Sequence, residues 1–395
     1  MAVFPTRCDI LVIGAGPAGS ACAQWLARAG RDVCLVDQHA FPRDKTCGDG
    51  LIPDALAALR RLGVHDEVMA VAQPVQHVTC IAPRGGRVDV PGSLAVLPRR
   101  TLDHILLRAA QKAGARLLPP ARFEAPMLHQ GRVVGAQLKA GDERHAVQAR
   151  WVVLATGANT PALLAAGLCQ RREPSGMALR GYITHPGMHE RIRTLQIVWH
   201  RRLAGGYGWI FPAPGGAFNI GAGYTGRRGD GGPTLRALFD TFCQVHPDAR
   251  DLVGGGTWTS PLKGAPLRCS LTGAAWSRPG LLATGEAIGS TYAFTGEGIG
   301  KAMETGLLAA ESLLTAEDDG AVRQHYEATL QALRPRLTLY DKAERVNRHP
   351  WITDVVVWRA RRSPRILRRM SGVLDETQNP GRILSWRGIG KLMFE

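Results

Sequence analysis

Residues 8–37 read CDILVIGAGPAGSACAQWLARAGRDVCLVD, and this stretch decides the fold. Residues 8–13 form a short apolar run suited to a strand covered on both faces. The run leads straight into Gly14-Ala15-Gly16-Pro17-Ala18-Gly19. Residues 20–30 then carry apolar side chains at helical spacing, with Gly30 as a C-terminal cap. A second apolar run, 33–36, ends on Asp37, 18 residues after Gly19. Strand, glycine-rich turn, helix and strand make a βαβ unit that binds a dinucleotide. The first glycine permits the tight turn, the second lets backbone N–H groups approach a pyrophosphate, and the third lets helix pack on strand. The helix N-terminus adds a positive dipole, and Asp37 is placed to accept hydrogen bonds from a ribose.

The same spacing recurs at 221–226 (GAGYTG), also after an apolar run. The adjoining residues 227–233, RRGDGGP, cannot be a helix, so this copy reads as strand and turn. Two other segments extend the first reading. Residues 151–159 (WVVLATGAN) and 281–289 (LLATGEAIG) are apolar strands running into small-residue turns. The second is followed by TGEGIG at 295–300 and a helical pattern over 301–315. Three strand-to-glycine turns far apart in sequence predict a sheet that wraps one large cofactor along its length, and a helix opening at Gly298 would aim its dipole at the cofactor's ring.

The chain has 395 residues, enough for two or three domains. With 45% hydrophobic and 21% charged residues it is neither disordered nor fibrous. Lys and Arg total 49 against 33 Asp and Glu, a net charge of +16, and only seven of the 49 are Lys. Such an excess suits nucleic acid, anionic lipid or acidic substrates, or reflects codon bias alone. No nucleic-acid-binding module accompanies it, and no nucleic-acid role is expected. Eight scattered cysteines, without a Cys-x-x-Cys pair or metal-ligand spacing, predict free thiols, no metal and a reducing compartment, hence a cytoplasmic protein. Asp9 interrupts the N-terminus before a secretory apolar region can build. Residues 10–27 are uncharged over 18 positions, long enough to suggest a membrane span. The glycines and proline in their first half assign them to the nucleotide-binding turn instead.

The GAGPAG, ATG (155–157) and Gly285-Glu286 turns, the last preceding a glycine-rich helix, together resemble the FAD-binding fold of p-hydroxybenzoate-hydroxylase-type flavoproteins. Within that superfamily FPRDKTCGDGLIP (41–53), YGWIFP (207–212) and GEGIGKAMETG (296–306) resemble the geranylgeranyl reductase family, over roughly residues 5–315. The resemblance implies an α/β fold: a discontinuous Rossmann-like FAD-binding domain, an antiparallel-sheet substrate domain and a helical C-terminus. It implies that Gly14, Ala15, Gly16, Ala18, Gly19, Asp37 and Gln38 hold the adenosine and pyrophosphate, and that Thr156 and Gly157 also touch the cofactor. Arg99, in the pattern Arg-x-x-Leu-Asp (99–103), would contact the pyrophosphate–ribityl region, as would Gly285 and Glu286. Gly298 and Ile299 would lie against the isoalloxazine, with Cys47 and Gly48 at its edge. Two departures stand out: Glu286 where the family has Asp, and Ala204 where the motif Pro-x-x-Tyr-x-Trp-x-Phe-Pro begins with proline.

Members of such a family saturate polyprenyl double bonds with reduced flavin. This implies a hydrophobic prenylated substrate (lipid, quinone or prenyl diphosphate) in an apolar tunnel, for which residues 175–270 are the expected source. NADPH or reduced ferredoxin would supply electrons. There is no second nucleotide fold, so NADPH would bind transiently over the flavin. Tyr207, Trp209 and Phe211 alternate, so on a strand all three face one way, either as a tunnel wall beside the flavin or as ordinary sheet packing. Cys47, flanked by Lys45 and a glycine turn, reads as a reactive thiol, a proton donor or a redox partner of the flavin, against a small residue fitted into a tight loop. The sequence assigns no general acid among the 12 His. The alternative class is an FAD-dependent monooxygenase or hydroxylase of an aromatic or polyketide-like molecule. Halogenation, which needs an early-region lysine, is disfavoured because none occurs between Lys45 and Lys112. A quinone-coupled electron-transfer flavoprotein would need a cysteine cluster, and no cysteine follows Cys269.

Proline- and glycine-rich crossings predict an FAD domain of 1–74, 96–172 and 272–330, a substrate domain of 75–95 and 173–271, and a basic helical region, 331–395. From 334 to 395 there are 14 Lys/Arg and 6 Asp/Glu, interleaved with Trp351, Trp358, Trp386 and Phe394, and Val355-Val356-Val357 precedes Arg359, Arg361, Arg362, Arg365, Arg368 and Arg369. Basic and aromatic side chains together suit the anionic inner face of a membrane, and a solvated basic helix packed on the FAD domain is the alternative.

Overall fold

Val33–Val36 buries all four of its side chains, and Arg7–Ile13 buries every residue from Ile10 onward. Such runs belong to strands covered on both faces. The computed structural model, which describes residues 4–203, 205–226 and 234–378, places them at the centre of a sheet. Its order is Ser277–Arg278, Leu281–Ala283, Glu143–Leu154, Arg7–Ile13, Val33–Val36 and Arg116–Leu117, parallel from the second strand on. The first half of Glu143–Leu154 pairs instead with the antiparallel hairpin of Arg122–His129 and Arg132–Ala140. Registers of Ile10 with both Val33 and Trp151, and of Val152 with Leu281, bring the three predicted glycine turns side by side at the C-terminal ends of neighbouring strands. That edge is where open α/β sheets bind their ligands.

The first helix is Pro17–Arg28, three residues earlier than periodicity alone indicated. Proline fits the first helical position because its ring presets φ and its missing N–H would have had no partner there. The later helix likewise starts early, at Ile299–Thr315, with Gly298 in the capping position. The two helices touch so closely that a Cβ built on Gly306 would lie 2.2 Å from the Ala18 carbonyl oxygen. The uncharged run 10–27 thus resolves into strand, turn and helix, and among the described residues no helix is long and apolar enough to cross a membrane.

The second sheet runs Thr257–Trp258, Gly176–Thr184, Ala217–Thr225, Gly206–Ala213, Leu195–Val198, Gln73–Ile81, Arg87–Val96 and Gly50–Leu51, with Lys263–Leu267 also on Gly176–Thr184. All its pairings are antiparallel except Leu195–Val198 with Gln73–Ile81. The second GxGxxG copy lies in Ala217–Thr225 and the turn after it, as its context predicted; 227–233 lie outside the described residues.

Helices Trp351–Ala360 and Pro364–Leu374 cover this sheet rather than standing in solvent. Val356, Val357, Ala360 and Ile366 share one hydrophobic cluster with Val88, Val90 and Trp199. The pair is pinned by Arg84 N–H donating to Asp354 Oδ1 (2.9 Å) and Ser371 Oγ donating to the Pro91 carbonyl (2.8 Å). Val356 and Val357 are therefore not free for a bilayer. The outer face is basic and aromatic: Trp351 and Trp358 are 41% and 47% exposed, with Arg359 and Arg362 over the Trp358 ring. Trp386 and Phe394 lie outside the described residues.

Candidate active site

Gly14 adopts φ +102°, open to glycine alone at low cost, and a Cβ there would meet the Ala155 carbonyl oxygen at 2.3 Å. A Cβ on Gly19 would lie 1.8 Å from the Gly14 carbonyl oxygen, so this turn closes only on glycine. Gly16 differs. Its backbone is extended (φ −76°, ψ −171°), and a Cβ would first meet the guanidinium groups of Arg43 and Arg99 at 3.6 and 3.7 Å. Two cations thus face the open side of the turn.

Both arginines are held by Asp103, which is fully buried. Arg99 Nε and a terminal nitrogen donate to its two oxygens at 2.6 and 2.8 Å, and Arg43 donates at 3.1 Å. Arg43 Nε also lies 3.5 Å from Asp37 Oδ1, so the two guanidinium groups are fixed between two carboxylates with their donors beside Gly16, a setting suited to an anionic pyrophosphate. Asp37 is oriented by N–H groups of Ala15 (2.9 Å) and His39 (3.0 Å). The Arg43–Asp103 contact was missed from sequence; an arginine 60 positions from its carboxylate carries no local signal.

A single cavity of about 460 Å³ runs from this turn across the chain. Gly14, Gly16, Ala18, Asp37 and Gln38 line one end, with Thr156 and Gly157 opposite. Cys47, Gly48, Arg99 and Glu286 come next, then Gly298 and Ile299 at the start of the helix, then Tyr207 and Trp209. Three of the residues expected at the cofactor are not among those lining it. Ala15 and Gly19 are buried within the turn, and Gly285 (φ +67°) packs on Ala18, where a Cβ would lie 2.7 Å away. The longer Glu286 side chain turns back on its own loop, accepting from Arg268 N–H and Thr291 Oγ1, both at 3.4 Å. The Thr156 hydroxyl is buried without a partner at the cavity wall. With the open side of Gly16, that orphaned donor fits a phosphate-bearing dinucleotide.

The 47–49 turn is the most constrained part of the site. Asp49 is fully buried at φ +66°. Its carboxylate accepts from the Tyr182 hydroxyl, from Asn219 Nδ2 (2.8 Å) and from Arg99 N–H (3.3 Å). Burial outweighs these donors and pushes its carboxyl up to about 6. Asn219 also donates to the Cys47 carbonyl (2.8 Å) and accepts from Trp209 Nε1 (2.9 Å). The Trp209 N–H therefore braces the turn and does not face the cavity as a donor. Arg180, fully buried, donates to Asp44 (2.6 Å) and the Lys45 carbonyl (3.0 Å) and lies over the Tyr182 ring. The Cys47 thiol accepts from Asp49 N–H (3.4 Å), and burial raises its pKa, so it is a thiol and not a thiolate.

Beyond this turn the cavity becomes apolar. Trp199, Tyr207, Trp209 and Phe211 form a ladder with neighbouring centroids 6.1–6.4 Å apart. Tyr207 donates its hydroxyl to the Thr295 carbonyl. Val78, Val90, Leu195 and Ile197 extend the sheet wall, and Val356, Val357, Met370, Val373 and Leu374 of the C-terminal helices close the opposite side. The expected source of this wall, 175–270, supplies only part of it. The C-terminal contribution was missed because its valines and arginines read together as a surface pattern. Glu297 also lines the cavity, and its carboxyl is pushed up to about 8 by burial and by the carboxylates of Asp54 and Glu376.

Comparison with known proteins agrees with this geometry. Residues 7–182 match the FAD binding domain family. The chain is 34% identical to a menaquinone reductase of Mycolicibacterium smegmatis, over 78% of this chain and 76% of that one. It is 30% identical to digeranylgeranylglycerophospholipid reductase 1 of Methanopyrus kandleri, over 79% and 82%. Its fold superposes on a geranylgeranyl bacteriochlorophyll reductase-like protein of Thermoplasma acidophilum with TM-score 0.72, 21% identity and 98% and 96% coverage. It also superposes on a flavin-dependent brominase with TM-score 0.75, 19% identity and 98% coverage of both chains. Those last two likenesses concern the fold alone. With an FAD-binding domain, a glycine turn faced by two arginines and reductase relatives across more than three quarters of its length, the chain belongs to the geranylgeranyl reductase family of FAD-dependent oxidoreductases.

Proposed function

We propose that the protein saturates carbon–carbon double bonds of a polyprenyl chain carried by a lipid, a quinone or a prenyl diphosphate. The observation that carries this reading is the apolar extension of the cofactor cavity, walled by the aromatic ladder on one side and by the C-terminal helices on the other. An isolated alkene offers no polar handle, so it must be held by shape and exclusion of water. Bound flavin would supply hydride to one alkene carbon.

Within that reading Arg43 and Arg99 neutralise the pyrophosphate, and the helix opening at Gly298 turns its positive end toward the isoalloxazine. Tyr207 and Trp209 form the wall against which the alkene lies. Trp209, through Asn219, also fixes the carbonyl of Cys47 and thereby the turn at the ring's edge. A raised thiol pKa favours Cys47 as a protonated neighbour of the reacting atoms over a thiolate nucleophile. Residues 1–74, 96–172 and 272–330 serve the cofactor and 75–95 with 173–271 the substrate, while the described part of the basic C-terminal region 331–395 completes the tunnel and presents arginine and tryptophan to an anionic membrane surface. NADPH or reduced ferredoxin is the electron source.

The test is anaerobic incubation of dithionite-reduced holoprotein with prenylated lipids and quinones, and then mass spectrometry. Products heavier by about two mass units per double bond, absent with boiled protein, are expected. No gain on any prenyl substrate, with oxygen insertion into an aromatic in air, would overturn the reading in favour of a monooxygenase.

A further inference from the structure

Saturating a double bond requires a proton as well as a hydride. Five carboxyl groups line the cavity: Asp37, Asp44, Asp49, Glu286 and Glu297. Four are committed elsewhere. Asp37 is tied to two backbone N–H groups, and Asp44 is ion-paired with Arg180 and Lys263. Asp49 is saturated by its three donors, and Glu286 is turned onto Arg268 N–H and Thr291. Glu297 remains, without an ion pair among the described residues and beside only the neighbouring Thr295 hydroxyl, between two glycines at the mouth of the Ile299–Thr315 helix and lining the cavity with Tyr207.

The groups that face Glu297 come from several elements. Asp54, from Pro53–Leu62, lies against the start of the helix, where a Cβ on Gly300 would fall 2.3 Å from its carboxylate. Glu376 faces it from beyond Pro364–Leu374, and the phenols of Tyr207 and Tyr340 are both raised, by burial first and then by the Glu297 carboxylate. Asp54 Oδ1 is buried without a partner, while Oδ2 is 3.6 Å from Lys301 Nζ. Lys301 in turn contacts Glu304 at 2.5 Å, whose side chain is 31% exposed. A chain of charged groups therefore leads from the surface at Glu304 through Lys301 to Asp54, beside the one cavity carboxyl that is not already committed.

We propose that Glu297 is the acid that protonates the alkene, and that Asp54 returns a proton to it. The proposal rests on the alkene-reduction reading. One carbon forms a C–H bond with hydride from reduced flavin, which loses two electrons. The π pair forms the second C–H bond with the Glu297 carboxyl proton, leaving a carboxylate. Asp54 gives its proton to that carboxylate and is itself reprotonated from solvent, while the Lys301 ammonium, kept charged by the carboxylates of Asp54, Glu304 and Glu376, stays beside it as counter-ion. Burial holds Glu297 near 8 and Asp54 near 7, so both carry protons close to neutral pH, where a general acid works best.

The test compares wild-type holoenzyme with Glu297→Gln, Glu297→Asp and Asp54→Asn, using a prenylated quinone in detergent micelles. Infrared titration of the oxidised holoenzyme should show a protonated-carboxyl band that is lost near pH 8 and is absent from Glu297→Gln. In a single turnover Glu297→Gln should saturate the quinone about 10²–10⁴-fold more slowly, with the flavin spectrum and its reduction by dithionite unchanged. Glu297→Asp, which keeps the acid, should recover most of that loss. Asp54→Asn should leave the first turnover intact and slow the later ones. A wild-type rate in Glu297→Gln, or persistence of its carboxyl band, overturns the assignment. If wild type itself forms no saturated product while the band is present, it is the alkene-reduction reading that fails.

Discussion

The three glycines of the first turn should fail in different ways when given a methyl group. At Gly16 the backbone already sits where alanine is comfortable, and the nearest atoms to a Cβ are 3.6 and 3.7 Å away at ordinary contact. Gly16→Ala should leave the apoprotein unchanged, or stabilise it by about 0.5 kcal/mol through the less flexible unfolded chain. The methyl would nevertheless stand where a phosphate must approach the backbone, between two guanidinium groups. Losing that approach should cost about 2–4 kcal/mol of FAD binding, about 30- to 1000-fold in Kd. At Gly14 the left-handed φ adds about 1–2 kcal/mol, and the 2.3 Å overlap with a backbone carbonyl adds roughly 1–3 more. Gly19, with a 1.8 Å overlap, should be at least as costly to the fold. Thermal melts of flavin-stripped protein report the first quantity, and titration of FAD fluorescence quenching reports the second. A Gly16→Ala apoprotein as unstable as Gly14→Ala, with Kd for FAD within threefold of wild type, would refute the assignment of Gly16 to the phosphate.

The same geometry has other measurable outcomes. Asp103→Ala leaves the buried Arg99 guanidinium without its carboxylate, while Arg43 keeps Asp37, and urea unfolding of the apoprotein should show a loss of about 3–5 kcal/mol. A loss below about 1 kcal/mol would mean that the arginines re-pair or reach water. Asp49 is raised in the fold from 3.8 to about 6, so the native state holds its proton more tightly than the unfolded chain. Its contribution is therefore full below about pH 4 and disappears as pH rises through 6, by roughly 2–3 kcal/mol. The melting temperature of Asp49→Asn should be flatter than wild type across that interval, and an identical slope would contradict the burial. Cys47 should react with iodoacetamide at pH 7.5 at least about tenfold more slowly than glutathione, because its thiol is held protonated. Faster labelling would show an activated thiolate.

The parts of this molecule that were legible in sequence are those set by local pattern. Val33–Val36 and residues 10–13 declared a two-sided sheet because no polar residue interrupts them. Gly14, Gly16 and Gly19 declared the turn because each spacing answers a separate steric demand. The alternation of Tyr207, Trp209 and Phe211 placed three rings on one face, and all three line the cavity. What stayed hidden depends on contacts between distant segments. Asp103 could be paired with Arg99 at i,i+4, yet nothing nearby announced Arg43 as its second partner. Glu297 sat inside a quoted motif, but its raised pKa arises from burial in the fold and from Asp54 and Glu376, more than 75 residues away on either side. Residues 355–357 looked like part of a basic, membrane-seeking surface because a sequence does not say which side of a helix meets a sheet.

The cover over the apolar half of the cavity has a bearing on how the protein is made. Every other lining residue, from Ile13 to Val346, precedes Trp351–Ala360 and Pro364–Leu374 in the chain. During synthesis the sheet and its aromatic ladder can therefore assemble while the helices that shield them are still in the ribosome. Until those helices arrive, Val78, Val90, Leu195, Ile197 and Trp199 lack the cover that they have in the finished protein. A nascent or prematurely terminated chain would be a natural client for chaperones, and its solubility should depend on translation continuing through residue 374.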